Sequence, residues 1–295
     1  MIPARNLLAL AVLTLMWGIN WPVMKISLRE LSPLYFRALT MSGGLLLLIS
    51  WYRSRGASLR LPPTALPQVV MLAVPNILGW HALSIFGVQA LASGRAAIVG
   101  FTMPIWVVII GVLFFREKMT PRLWLATACS AGAVVLLLWH ELAVLSGRPV
   151  GLAWMLSAAF SWALGTLLLK RVSVPLSTEA LTVWMIGLTV PLVWLLAVTL
   201  EPVPVFDFSP TMWAALAYGV AINYGIAQIL WFSIARDVPP VASGLSIMFI
   251  PVIGLSSAMV LTGEQPFVED YFAAALIVVA LAATLLAGRR RAARQ

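Results

Sequence analysis

The chain has 295 residues, of which 62% are hydrophobic and 10% charged, whereas a soluble domain carries roughly 25% charged residues. That composition leaves too little polar surface to clothe a globule in water, so a soluble enzyme or binding module is excluded and lipid is the natural solvent. The formal charge of +9 lies between apolar runs, where it orients a membrane chain rather than binding nucleic acid.

A membrane span needs about 20 mainly apolar residues. In chain order the segments that qualify are 6–24, 33–52, 66–87, 95–115, 122–139, 150–169, 178–199, 211–234, 241–262 and 270–287. Arg5 followed by an apolar run resembles a signal peptide. No small-residue cleavage site follows before Lys25, so this is read as an uncleaved first span. Pro62-Pro63, Pro121, Pro202, Pro204 and Pro239-Pro240 punctuate the connections. Pro22, Pro75, Pro104, Pro191 and Pro251 fall inside spans and are expected to kink them, each by removing one helix hydrogen bond. The single cysteine, Cys129, forms neither a disulfide nor a zinc site and reads as a small core residue.

With a cytoplasmic N-terminus, the inner segments hold Arg5, Arg53, Arg55, Arg60, Arg116, Lys118, Arg122, Lys170, Arg171, Arg236, Arg289, Arg290, Arg291 and Arg294. The outer segments hold Lys25, Arg29, Arg95 and Arg148, and are otherwise acidic: Glu201, Asp207, Glu264, Glu269 and Asp270. This bias predicts both termini in the cytoplasm and a multi-pass protein of the cytoplasmic (cell inner) membrane.

The chain also repeats itself. Trp17 and Lys25 match Trp162 and Lys170 at an offset of 145; Asn76, His81, Pro104 and Glu117 match Asn223, Gln228, Pro251 and Glu264 at 147. The expected fold class is therefore an all-α membrane protein of ten transmembrane helices. Two five-helix repeats, residues 1–145 and 146–295, would build it. Five is odd, so the repeats enter the membrane in opposite directions. That is the construction of many secondary transporters, whose substrate sites lie near the midplane between the repeats.

Three stretches carry a resemblance to a family: WGINWPVMK at 17–25, ALASGRAAIVGFTMPIWVVIIGVLFFREKMTP at 90–121, and VPPVASGLSIMFIPVIGLSSAMVLTGEQPF at 238–267. In the two long ones a small-residue segment leads to a proline, an apolar run and a glutamate 13 residues after the proline. The pattern resembles the drug/metabolite transporter superfamily, specifically its ten-span EamA-type exporters, and spans essentially the whole chain. The first repeat departs from the usual small-Gly-Glu ending with Phe115-Arg116-Glu117; the second keeps Thr262-Gly263-Glu264. The resemblance implies a central cavity lined by spans one, three, four, six, eight and nine, and export of amino acids or related metabolites.

Within that frame Pro104 and Pro251 are either gating hinges or static kinks, with Gly94, Gly244, Gly111 and Gly254 allowing close helix approach. Asn76, Asn223, His81 and Gln228 either glue helices, at roughly 0.6–2 kcal/mol each, or line the cavity and bind a zwitterion. His81 suits proton coupling, with an unperturbed pKa of about 6.5, or serves as a neutral hydrogen-bonding group. Trp17, Asn20, Trp21, Trp80, Phe101, Trp162, Tyr224 and Met248 supply an apolar, adaptable pocket. Arg37 either snorkels to the interface or receives a carboxylate. Glu117 and Glu264 read as helix-end and loop contacts.

These features point to a secondary transporter exporting aromatic or a broad set of amino acids by alternating access. Export of drugs or other small metabolites is the alternative. A Walker A pattern and enzyme motifs are missing from the sequence, so no cofactor, metal or enzymatic activity is expected. The expected partners are amino acids or similar small solutes and membrane lipids, with no nucleic acid and a monomeric state.

Overall fold

The computed structural model describes residues 4–115, 120–144, 149–231 and 249–292. Most of those residues are helical, and no strand occurs among them. Helix α1 (Ala4–Ser27) is followed by α2 (Pro33–Ser54), which opens on a proline after the extended Ser32. A proline fits there because the first helical amides have no intrahelical acceptor. The third rod is composite: a 3-10 turn (Pro63–Ala65), α3 (Leu66–Ala73), a π segment (Val74–Gly79) and α4 (Trp80–Ala90). Next come α5 (Ser93–Gly100), α6 (Met103–Phe115), α7 (Pro121–Val144), α8 (Val150–Leu169) and α9 (Thr178–Leu200). A second composite rod joins α10 (Pro210–Ala217) to a π segment (Tyr218–Ile226) and helical residues 227–231. Helices α11 (Ile250–Thr262) and α12 (Val268–Ala292) follow.

Seven of these rods are long and apolar enough to cross a membrane: Arg5–Ser27, Pro33–Ser54, Pro63–Ala90, Ser93–Phe114, Val150–Leu169, Thr178–Leu200 and Pro210–Trp231. Two apolar helices, Pro121–Leu137 and Ile250–Thr262, are shorter. Large apolar side chains stand on the outside, with Val260 82%, Phe114 73%, Trp139 71% and Leu113 70% exposed. Such a surface is stable only against hydrocarbon.

The prolines divide into two kinds. Helices α1 and α9 run through Pro22 and Pro191. Pro75 lies in the first π segment, where the wider i→i+5 turn already departs from regular α bonding. Pro104 is not the interior kink expected for one continuous fourth span. Helix α5 stops at Gly100 and α6 restarts at Met103, so Pro104 stands in the first turn of a new helix, where its missing N–H costs least. Pro251 likewise stands in the first turn of α11. Gly244 and Glu117 lie outside the described residues.

Acidic side chains tie one end of the bundle together. Glu201, at the end of α9, accepts hydrogen bonds from the amides of Leu34 (3.0 Å) and Tyr35 (3.1 Å) at the start of α2. Glu30 accepts from the amide and hydroxyl of Ser209, which caps α10. Each carboxylate satisfies orphan amides at the positive end of a helix dipole. Arg95, 3% exposed, pairs with Asp270 of α12 at 2.8 Å, so this arginine is a buried tie rather than a loop charge.

Candidate functional site

The site begins at the break between α5 and α6. All eight residues of α5 are buried. The turn closes as the Phe101 amide donates to Ala97 O (3.2 Å), the Thr102 amide to Val99 O (3.0 Å), and the Thr102 hydroxyl to the same carbonyl (2.7 Å). Gly100 ends α5 against indole rings: a Cβ there would lie 2.9 Å from Trp21 Cη2 and 3.4 Å from Trp80 Cη2. Trp80 stands edge-on to Trp21 with centroids 6.5 Å apart and packs on Trp162 at 5.1 Å. The fold thus gathers Trp21, Trp80, Trp162 and the buried Phe101 from four different rods. Trp17, one turn along α1 from Trp21, packs instead on Trp231, 5.7 Å away.

A polar group adjoins the indoles through His81, the residue after Trp80. His81 Nδ1 and the Tyr224 hydroxyl share a 2.9 Å hydrogen bond. Arg37 donates through Nη1 to that hydroxyl (3.4 Å), through Nη2 to Ser84 Oγ (3.2 Å) and through Nε to the His81 carbonyl (3.1 Å). The Tyr224 hydroxyl thus serves two neighbours at once, as acceptor from Arg37 and as partner of the His81 ring nitrogen. Arg37 is 3% exposed, so the snorkelling expectation is overturned. Its acceptors lie inside the bundle, on α4 and the second π segment, and the side chain follows them. Gly44 permits this approach, because a Cβ there would overlap Tyr224. Ser84 was not anticipated; its only sequence signal is a hydroxyl one turn after His81.

The amides separate. Asn76 is buried, donates to Leu72 O at 2.9 Å and faces α8, where Gly165 makes room for it. Its Oδ1 is buried without a hydrogen-bond partner. Ser161 of α8 donates to the nearby Pro75 carbonyl at 3.0 Å. Asn20 and Asn223 are buried and Gln228 is half-buried. Met248 lies outside the described residues.

Helices α1, α5 and α11 close tightly beside the indoles. A Cβ at Gly254 would meet Ala97 Cβ at 2.8 Å and Trp21 Cδ1 at 3.3 Å; one at Gly94 would meet Leu255 Cα at 3.1 Å. Gly263, at a left-handed φ of 69°, then turns the chain so that Glu264 reaches the start of α5. The Glu264 carboxylate accepts from the Ser93 amide (2.8 Å), the Ser93 hydroxyl (2.7 Å) and the Gly94 amide (3.1 Å). From α1, Lys25 Nζ donates to the carbonyls of Val88 (3.0 Å), Gln89 (2.7 Å) and Leu91 (2.7 Å) at the end of α4. Cation and anion therefore fasten the two sides of the α4–α5 turn, each matched to its helix dipole. Lys170, which caps α8, is exposed. A pocket of about 230 Å³ lies over this fastening, away from the indoles, and includes the already paired Arg95 and Asp270.

Comparison with known proteins agrees with this architecture. A solved crystal structure superposes with a TM-score of 0.67 at 21% identity, covering 98% of this chain and 99% of the other, which establishes a shared fold. The "Uncharacterized transporter YoaV" of Bacillus subtilis (strain 168) is 22% identical over 92% of this chain and 94% of its own. The "Uncharacterized inner membrane transporter YedA" of Escherichia coli (strain K12) is 26% identical over 92% and 88%. The "Probable amino-acid metabolite efflux pump" of the same strain is 24% identical over 94% and 93%. Residues 5–139 and again 149–286 match the description "EamA-like transporter family". An apolar exterior suited to lipid, a helix broken beside gathered indoles, and these matches together place the chain in the EamA-like transporter family of membrane transporters.

Proposed function

We infer that this protein is a secondary transporter that exports amino acids, aromatic or of broad range, across the cytoplasmic membrane by alternating access. The observation that carries the reading is the meeting of Trp21, Trp80 and Trp162 with the polar group of His81 and Tyr224 beside a broken helix. A cavity opening between these indoles, with a few placed polar groups, would suit solutes with an apolar body and a zwitterionic head. Discontinuous helices are a recurring element of transporter substrate sites. One relative is named as an amino-acid metabolite efflux pump, which supports the substrate class.

In this reading the chain is a monomer of ten spans. Its inverted repeats are 1–145 and 146–295, and both termini are cytoplasmic. The binding residues are Trp17, Asn20, Trp21, Asn76, Trp80, His81, Phe101, Trp162, Asn223, Tyr224, Gln228 and Met248, with Pro104 and Pro251 as hinges. The Lys25 and Glu264 fastening closes the outer side of the cavity.

The test is flux into liposomes by purified protein. The labelled panel is tryptophan, phenylalanine, methionine, threonine, lysine, glutamate and a lipophilic cation, each with and without a proton gradient. Amino-acid flux above empty liposomes, lowered by Asn223→Ala or Gln228→Ala in folded protein, is the expected result. Flux of the cation alone would replace the reading with drug export.

A further inference from the structure

Two arginines are buried to the same degree in this bundle, and they are treated differently. Arg95 meets the Asp270 carboxylate at 2.8 Å. Arg37 meets a carbonyl and two hydroxyls, from His81, Ser84 and Tyr224, and no carboxylate lies within ion-pair distance of it among the described residues. A guanidinium keeps its proton in proteins, so this charge cannot be relieved by neutralisation. Three neutral acceptors leave part of its five-donor fork unused and none of its charge compensated. A cation held this way inside a membrane bundle marks a site for an anion that arrives and leaves.

The position suits such a visitor. The hydroxyls of Ser84 and Tyr224 are weak claims on the guanidinium at 3.2 and 3.4 Å, and a carboxylate displaces them with shorter, charge-assisted bonds. His81, whose carbonyl accepts from Arg37, is half-buried. Trp80, its neighbour in sequence, carries the indole contacts to Trp21 and Trp162.

We propose that Arg37 is the anion subsite of this transporter, ion-pairing with the carboxylate of the carried solute while the indoles hold its apolar body. This rests on the transport reading above and adds the charge the solute must bear. The transporter then selects for carboxylates, and an amine lacking one is a poor substrate.

The experiment compares tryptophan, indole-3-propionate, which lacks the ammonium, and tryptamine, which lacks the carboxylate. Each is followed by flux in proteoliposomes and by ligand-induced thermal stabilisation of the full-length protein. Tryptophan and indole-3-propionate are expected to bind, with tryptamine at least about 30-fold weaker. Arg37→Gln is expected to bring tryptophan down to the tryptamine level and leave tryptamine unchanged, and Arg37→Lys to retain part of the difference. Equal handling of tryptophan and tryptamine by the wild type overturns the subsite while leaving amino-acid export standing. Arg37-dependent binding of indole-3-propionate without any amino-acid flux keeps the subsite and removes the amino-acid reading. Binding of neither carboxylate overturns the subsite. The wild-type series decides the matter even where Arg37→Gln does not fold.

Discussion

Glu264→Ala tests whether the outer fastening sets the conformational equilibrium. The Glu264 side chain is half-buried and accepts three hydrogen bonds, two from the orphan amides of α5 and one from Ser93 Oγ. A capping side chain is worth about 1–2 kcal/mol, and hydrogen bonds to a charged group about 1.5–3 kcal/mol each when buried. Partial exposure reduces the latter, so a total of about 2 kcal/mol is reasonable for the closed outer side. Removing it shifts the closed-to-open ratio about 30-fold, turning a preference of 99:1 into roughly 3:1. Ser257→Cys, at the seam where Ser257 Oγ faces the Gly18 carbonyl at 3.5 Å, is a conservative reporter once Cys129 is replaced by alanine. A membrane-impermeant maleimide added to right-side-out vesicles is expected to label it at least about tenfold faster with Glu264→Ala than without. Equal labelling rates in folded protein would show that the fastening does not govern access, and the outer-gate argument would fail.

Two further outcomes follow from local geometry. Gly165→Val drives a side chain into the Asn76 amide and is expected to destabilise the α8 contact with the third rod by about 1–3 kcal/mol, seen as a lower unfolding temperature in detergent; no change would mean Asn76 is free to move aside. Glu30, outside the spans, is held below its ordinary carboxyl range by the Ser209 hydroxyl first and the Ser209 amide second. Its contact is therefore complete above pH 4.5 and lost as pH falls through the depressed value. The protection factor of residues 202–209, which corrects exchange for its intrinsic pH dependence, is expected to fall at acid pH in the wild type, and to be already lowered and independent of pH in Glu30→Gln.

Composition and apolar run length specified an all-helical membrane chain, because a lipid-facing surface and internally satisfied backbone leave few other solutions. The residues gathered at the indole cluster were also legible: Trp21, Trp80, Phe101 and Trp162 stand in apolar segments away from their ends. The stretches holding Pro104 and Pro251 led directly to the family. What the sequence could not specify was which polar side chains meet. Asn76 and His81 are five residues apart on one rod, and the π segment that begins at Val74 resets the angle between them, leaving Asn76 on α8 and His81 on Tyr224. Register through a π turn depends on neighbours that compensate its freed carbonyls, and hydropathy carries no trace of it. Arg37 was ambiguous for the same reason: an arginine near a helix start snorkels or turns inward according to where acceptors lie, and those acceptors come from residues 44 to 187 positions away. What fills the space beside the break at Phe101–Thr102 was likewise decided by packing: rings from α1 and α4 occupy the place that a side chain at Gly100 would need.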